Sequence, residues 1–506
     1  MGFSQALEKL YTIDKENRHL ERAVAVLRWD QETCLPEKGV EERAEQLALL
    51  EGIAHHRFTA PETGKLLLEL GSTPENPRGD SKLASIEQDF LRVFRRNYDR
   101  AVMLPVDFVS DVARAEGLSQ AAWIKAKQNN DFPAFLPHLE TMIDFARRRA
   151  VYWGFTDNPY DGLLDIYEPG MSAEDVNAVF APLGEKLSAL LKKIASLSRP
   201  DSSFLDRNFD VECQALFTRE LKRRLHFDEQ RGRLDISAHP FTTTLGSDDI
   251  RITTRFLPRQ IQSGIFSTIH ECGHAFYEMD FPDALRGGSL ADGASMGIHE
   301  SQSRLWENVV GRSRSFWEAM FPVLRSYFPG ALSLVKVEDF YRAINLVEPS
   351  LIRIEADEVS YSLHIILRFD LERELFSGAL KPEDLPAAWS KKMNEYLGVA
   401  PETDTQGVLQ DVHWSMGAFG YFPSYALGNL YGLQFWEKLK SDLPGTEELI
   451  AEGNFNPIRT WLREKIYMWG RRPEPRELLK TVTGNNLSAE PFLGYIESKY
   501  TGLYGY

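Results

Sequence analysis

The chain has 506 residues, 43% of them hydrophobic and 26% charged, which is enough apolar material to bury an extensive core and too much for a disordered polymer. Its net charge of −16 repels phosphate backbones and anionic lipid at long range, which argues against nucleic acid and membrane surfaces as partners. No stretch reaches the roughly 20 uninterrupted apolar residues of a membrane span, and the charged, amphipathic N-terminal segment lacks the basic start and apolar centre of a signal peptide, so a cytoplasmic protein is expected.

Apolar residues three and four apart predict amphipathic helices over 41–53, 84–100, 136–154 and 173–195. Ser172 ahead of Glu174 and Asp175 is a start signal for the last of these, and Pro169-Gly170 is the break before it. Neither a repeat nor a low-complexity linker interrupts the pattern, so the expected fold is mainly α, one large helical body forming a single domain over 1–506. Residues 233–256 depart from it, because β-branched residues alternate around Gly246-Ser247-Asp248-Asp249 and predict a small β-hairpin. The edge of such a hairpin is where an extended peptide would pair. Cys34, Cys213 and Cys272 are widely spaced and odd in number, which predicts buried free thiols in a reducing compartment.

Within 264–280 stands His270-Glu271-Cys272-Gly273-His274, an HExxH pattern with apolar flanks suited to a buried helix. Residues four apart share a helix face, so both imidazoles reach one zinc ion at about 2.0–2.1 Å, while Glu271, about 100° round, meets the attacking water. A catalytic zinc needs a third protein ligand and an open position. Glu300 is the candidate, on a second helix over 297–312 whose Leu305, Trp306 and Val309 would pack beside the first. A chance HExxH would bring neither this glutamate nor the adjacent hairpin, so a metal-dependent hydrolase is expected, with zinc as the default ion and cobalt fitting the same donors.

Six motifs in order carry a resemblance to a known family. They are His239-Pro240-Phe241 (HPF), Asp249 to Thr253 (DxRxT), His270 to His274 (HExxH), His299-Glu300-Ser301-Gln302 (HESQ), Ile352 to Asp357 (IRxxAD) and Gly407 to Trp414 (GxxQDxHW). With Trp29-Asp30-Gln31-Glu32-Thr33 near the start and Gly420-Tyr421-Phe422-Pro423 near the end, the sequence resembles the carboxypeptidase Taq family of zinc carboxypeptidases over nearly its whole length. The resemblance implies a mostly helical, saddle-like homodimer whose long groove holds the metal and takes peptide substrates. The C-terminal part that lines the groove would be about 350–435.

Further site residues follow from it. His413 and Tyr421 are the candidate donors to the oxyanion, with Tyr425 as the rival to Tyr421. Arg251 and Arg353 suit the substrate's terminal carboxylate, because a guanidinium forms paired hydrogen bonds to it, and Arg353 and Gln410 would close the groove. On a helix over 351–376, Arg353, Asp357, His364 and Arg368 fall within about 80° of one another, either lining the groove or forming a ladder from Arg353 to Asp357. Asp249 either pairs with Arg251 or orients a metal-ligating histidine. His239 and His299 are expected to touch substrate or to support the ligands.

The leading expectation is a carboxypeptidase of broad side-chain specificity. An oligopeptidase cleaving internally shares the HExxH chemistry. A silent helical scaffold is the third alternative, and Glu271 speaks against it, since a structural metal has no use for a base beside its ligands.

Overall fold

Helical apolar spacing organises most of the chain in the computed structural model, which describes residues 3–505. A long first helix, α1 (Phe3–Thr33), packs with Val40–Phe58 and Pro61–Glu69, and α2 (Ser85–Val102) follows. Helices then run over Val106–Asn129 and Phe132–Tyr152, through the short α3 (Pro159–Tyr167), to Ala173–Ala195. The four helices predicted from periodicity are present within a few residues of their expected ends. Ser172 caps the last of them, accepting from the Asp175 amide.

The predicted hairpin is a three-stranded sheet. Strands β1 (Gly232–Ile236), β2 (Thr242–Gly246) and β3 (Asp249–Thr254) lie in the order β1-β3-β2. The hairpin proper is β2 with β3, antiparallel, with Thr242 opposite Ile252 and Thr243 opposite Arg251. β1 joins in parallel along the other side of β3, Gly232 opposite Ile250. The alternation that betrays a hairpin carries no signal for this second, parallel pairing, because parallel neighbours are not fixed by a short turn. β2 is consequently an edge strand.

The helices that concern the site are α4 (Ile261–Met279), α5 (Met296–Arg304), α6 (Ser360–Ser377) and α7 (Pro423–Asp442). The stretch predicted as one helix over 297–312 changes character within itself: α5 ends at Arg304 and a π-helical turn continues over Leu305–Val310. Such turns widen the helix and re-aim its side chains. The helix predicted over 351–376 starts only at Ser360. Asp357 stops it from extending backwards, since its carboxylate accepts from the amides of Val359 and Ser360 and from the Ser360 hydroxyl. Arg353 therefore sits in a separate single turn, Arg353–Glu355, and pairs with Asp411, so the ladder from Arg353 to Asp357 does not form.

One apolar cluster runs from Ala126 to Leu503 and encloses α4, α6 and α7. A second, smaller one gathers Leu10, Leu67, Phe90 and Phe94 from the N-terminal helices with Leu285 and Leu290. Of the cysteines only Cys272 is buried; Cys34, just past the end of α1, is exposed and Cys213 is half-buried, and all three are free thiols. Among the described residues no helix is long and apolar enough to cross a membrane.

Candidate metal centre

Helix α4 is apolar around most of its circumference, and Ile265, Phe266, Ile269, Cys272, Ala275 and Phe276 are all buried. His270 and His274 lie one turn apart on the remaining face with ring centroids 4.9 Å apart. Burial pushes the Cys272 thiol up to about 12, so it stays protonated and packs as a small apolar group.

Glycines determine how Glu300 meets this face. A Cβ at Gly273, inside the HExxH, would come within 2.7 Å of the Gln302 carbonyl oxygen and the Ser303 Cα, so α4 and α5 approach backbone to backbone. On the opposite side, a Cβ at Gly428 of α7 would lie 2.6 Å from the Glu300 Cγ. Helix α5 is thus held between two faces with no room for a methyl group at either. Its N-terminus is fixed by Glu168, whose buried carboxylate accepts from the Gly297 amide at 2.5 Å and is raised to about 7 by burial.

The outcome is a cluster in which nitrogen atoms of His270 and His274 and an oxygen of Glu300 all lie within 4.8 Å of one another. The His270 and His274 Nε2 atoms are 3.6 and 3.4 Å from the Glu300 Oε2. Ligands about 2.1 Å from a tetrahedral ion stand about 3.4 Å apart, so the donor spacing fits a zinc-sized cation, and two imidazoles with one carboxylate form a zinc donor set. Charge agrees: Glu271, Glu300 and Glu307 converge on the two imidazoles while Arg304 and Arg312 supply the nearby positive charge. Against burial, which disfavours its charged form, Glu300 and Glu307 draw the His270 imidazolium up to about 9. His274 is pushed down to about 3 by burial and by His299 and His270. Burial would raise the Glu300 carboxyl, yet Arg304 and His270 hold it well below the usual carboxylate range.

The outer ring nitrogens meet Glu307, which the sequence did not single out, and His299, one of the two histidines expected to touch substrate or support the ligands; Glu278 behind His299 was not foreseen either. His270 Nδ1 donates to Glu307 at 2.8 Å. His274 Nδ1 lies 2.6 Å from His299 Nδ1, and His299 Nε2 is 2.7 Å from Glu278 Oε1. A carboxylate only accepts, so His299 Nε2 donates to Glu278, which draws the His299 imidazole up against burial; where His299 Nδ1 accepts from the Nδ1–H of His274, the His274 Nε2 lone pair faces Glu300. Arg304 Nε donates to Glu300 Oε1 at 2.7 Å and Ser303 Oγ to Oε2 at 3.0 Å. Glu278 stands four residues after His274, and Arg304 and Glu307 four and seven after Glu300; this helical spacing was the available signal. Replacing Glu307 by alanine is expected to weaken metal affinity about 10–100-fold while leaving the fold intact, measured by competition with a chromophoric chelator.

Glu271 is 5% exposed, and its Oε2 accepts from the Thr242 hydroxyl of edge strand β2 at 2.6 Å. Burial raises its carboxyl above the ordinary range, with His270 and Thr242 opposing.

Asp249 pairs with Arg251 through two contacts of 2.9 and 3.0 Å, and Arg251 lies 4.3 Å from the centre of the Trp29 ring, joining the N-terminal WDQET segment to β3. Asp249 makes no hydrogen bond or ion pair with His270 or His274; their Nδ1 atoms meet Glu307 and His299 instead. His239 is exposed in the connection between β1 and β2. His413 Nε2 is 3.3 Å from the Tyr425 hydroxyl, and the His413 ring lies 5.4 Å from that of Tyr421, itself 5.2 Å from that of Tyr425. Burial raises Tyr421 to about 12, with the Glu300 charge contributing, so its hydroxyl keeps its proton. Burial lowers His413 to about 4, which leaves it neutral.

Arg353 is buried and donates to Asp411 Oδ1 at 2.8 and 3.0 Å, while Arg368 donates to Asp411 Oδ2 at 2.7 Å. Gln410 is taken up by backbone: its Oε1 accepts from the Arg353 amide and its Nε2 donates to the carbonyls of Leu351 and Gln406. It therefore fixes the Arg353 turn in place. Buried Glu372 on α6, also unforeseen, accepts from Trp414 Nε1 at 2.7 Å, the Gly420 amide at 3.0 Å and the Tyr160 hydroxyl at 2.8 Å. It pins both ends of the segment between His413 and Tyr421, and no spacing in the sequence signals it.

Comparison with known proteins gives a consistent picture. A family model described as carboxypeptidase Taq (M32) metallopeptidase matches residues 9–500. Thermostable carboxypeptidase 1 of Thermus thermophilus is 44% identical over 99% of this chain and 99% of its own, and carboxypeptidase 1 of Bacillus subtilis 39% identical over 98% of each. The crystal structure of the M32 carboxypeptidase from Deinococcus radiodurans R1 superposes with a TM-score of 0.96 at 40% identity, covering 99% of this chain and 100% of that one.

Proposed function

Because the chain belongs to the carboxypeptidase Taq (M32) metallopeptidase family and is a peptide-hydrolysing metallocarboxypeptidase, we propose that His270, His274 and Glu300 hold a zinc ion and that Glu271 is the general base for removal of C-terminal residues. The convergence of two Nε2 atoms and one carboxylate oxygen at tetrahedral spacing, with a buried glutamate next to them, carries this reading. A bound zinc ion supplies a Lewis acid for the scissile carbonyl and makes a water more acidic; cobalt would serve with the same donors.

Glu271 takes a proton from the attacking water, with Thr242 orienting the carboxylate, and returns it to the amine nitrogen as the C–N bond breaks. His413 and Tyr421, or Tyr425 beside them, donate hydrogen bonds to the oxygen that becomes negative. The substrate strand extends along β2, an edge strand of the sheet. Arg353, backed by Asp411 and steadied by Gln410, receives the terminal carboxylate, with Arg251 as the second candidate. Broad side-chain specificity is part of this reading, since the sequence singles out no pocket residue that would select one side chain.

An N-blocked peptide and its C-terminal amide distinguish this from internal cleavage. The free acid is expected to lose its last residue, and the amide to react about 100-fold more slowly, the loss of one charge-assisted interaction. Equal rates, with fragments from internal bonds, would establish an oligopeptidase instead.

A further inference from the structure

Away from the metal centre, a cavity of about 10 Å³ lies where α2 meets the segment after Tyr467–Trp469 and the residues before α5. Arg92 and Arg96 of α2 and Arg471 line it, with Glu474, Pro169 and Ala294. That volume admits about one water-sized particle.

The guanidiniums around it are short of negative charge. Asp165 is shared by Arg96 and Arg100, and Asp292 by Arg18 and Arg471. Among the described residues Arg92 has one ion pair, with Glu474 at 3.5 Å, and feels Asp89 and Glu477 from farther off; its Nη2 is spent on the neutral carbonyls of Arg471 and Arg472, and its buried Nε has no acceptor. Counted with Glu21 on Arg18, five arginines pair with four carboxylates here, and at the cavity lining itself three guanidiniums, those of Arg92, Arg96 and Arg471, face the single carboxylate of Glu474. In a chain of net charge −16 this local positive excess is the reverse of what composition would give. Burial and neighbouring guanidiniums hold Arg92 and Arg471 below their ordinary value and Arg96 down at about 10. Arg304 and Arg353, each beside its own carboxylate, are raised.

We propose that this cavity binds one monovalent anion of halide size, held by Arg92, Arg96 and Arg471. The anion would accept from the Arg92 Nε and offset repulsion between the guanidiniums. Its place gives it a purpose in the fold. Arg92 and Arg96 flank Val93 and Phe94 of the smaller apolar cluster, whereas Ala294 directly precedes Ser295, whose hydroxyl caps α5 by accepting from the Ile298 amide. A halide there ties the N-terminal helices to the start of the helix bearing His299 and Glu300.

The test uses the full-length protein. Crystals grown in sodium bromide should show an anomalous peak among Arg92, Arg96 and Arg471. In solution at constant ionic strength, sodium chloride or bromide in place of sodium gluconate should raise the melting temperature by about 2 °C, and Arg92→Gln should remove that increment. A bromide crystal with no peak in the cavity overturns the proposal, as does an equal halide response in wild type and Arg92→Gln. Should Arg92→Gln fail to fold, the bromide peak in the wild-type crystal decides.

Discussion

Replacing Glu271 by glutamine is expected to give a folded protein that still binds its metal and hydrolyses peptides at least about 10³-fold more slowly, within the range for loss of a positioned general base. Glutamine keeps the volume of the buried side chain and can still accept from the Thr242 hydroxyl, so the packing of α4 against β2 survives. What is lost is the ability to take a proton. None of the three ligating atoms belongs to Glu271, so metal analysis of the variant should return the wild-type stoichiometry. Release of the terminal amino acid measures the rate; a rate close to wild type would remove Glu271 from the role assigned to it.

The other carboxylate of the site should behave in the opposite way. Glu300→Ala is expected to lose both metal and activity, and to lower stability by about 3 kcal/mol. In the proposed site Glu300 would offer Oε2 to the metal, and its Oε1 accepts from Arg304, whose guanidinium is largely buried and would be left with Glu307 as its ion-pair partner at 3.5 Å. An unpaired buried charge accounts for most of the expected destabilisation, and its partial rescue by Glu307 keeps the figure at the low end. Metal content and the denaturant midpoint read the two effects separately. Stoichiometric metal in this variant would take Glu300 out of the ligand set. Together the substitutions would divide the site by the two proposed functions: one carboxylate to move a proton, the other to hold a cation in place.

The sequence disclosed those parts of the site whose partners lie one helical turn apart. His270 and His274 declare themselves by spacing, and Glu300 follows from the need for a third ligand on a neighbouring helix. Most of the helical architecture is legible for the same reason, since periodicity is a local property. Interactions between distant segments leave no such trace. The parallel pairing of β1 with β3, the sharing of Asp411 between Arg353 and Arg368, and the three donors gathered by Glu372 depend on which elements become neighbours in space. Helix α6 shows how a local pattern misleads: apolar residues continue upstream of Ser360, but Asp357 binds the first free amides and ends the helix there. The π-helical turn after Arg304 is likewise invisible to a 3.6-residue period.

The glycine contacts on either side of α5 bear on when the site comes into being. All three proposed ligands lie upstream of residue 301, yet one wall that fixes Glu300 is Gly428, on a helix that begins only at Pro423. A nascent chain that has emerged as far as Arg304 carries the complete ligand set without the socket that gives it shape. Ligand order in the sequence therefore says little about the shape of the site: the spacing that suits a small tetrahedral cation depends on a wall contributed from more than 100 residues downstream as much as on the residues that form the cluster.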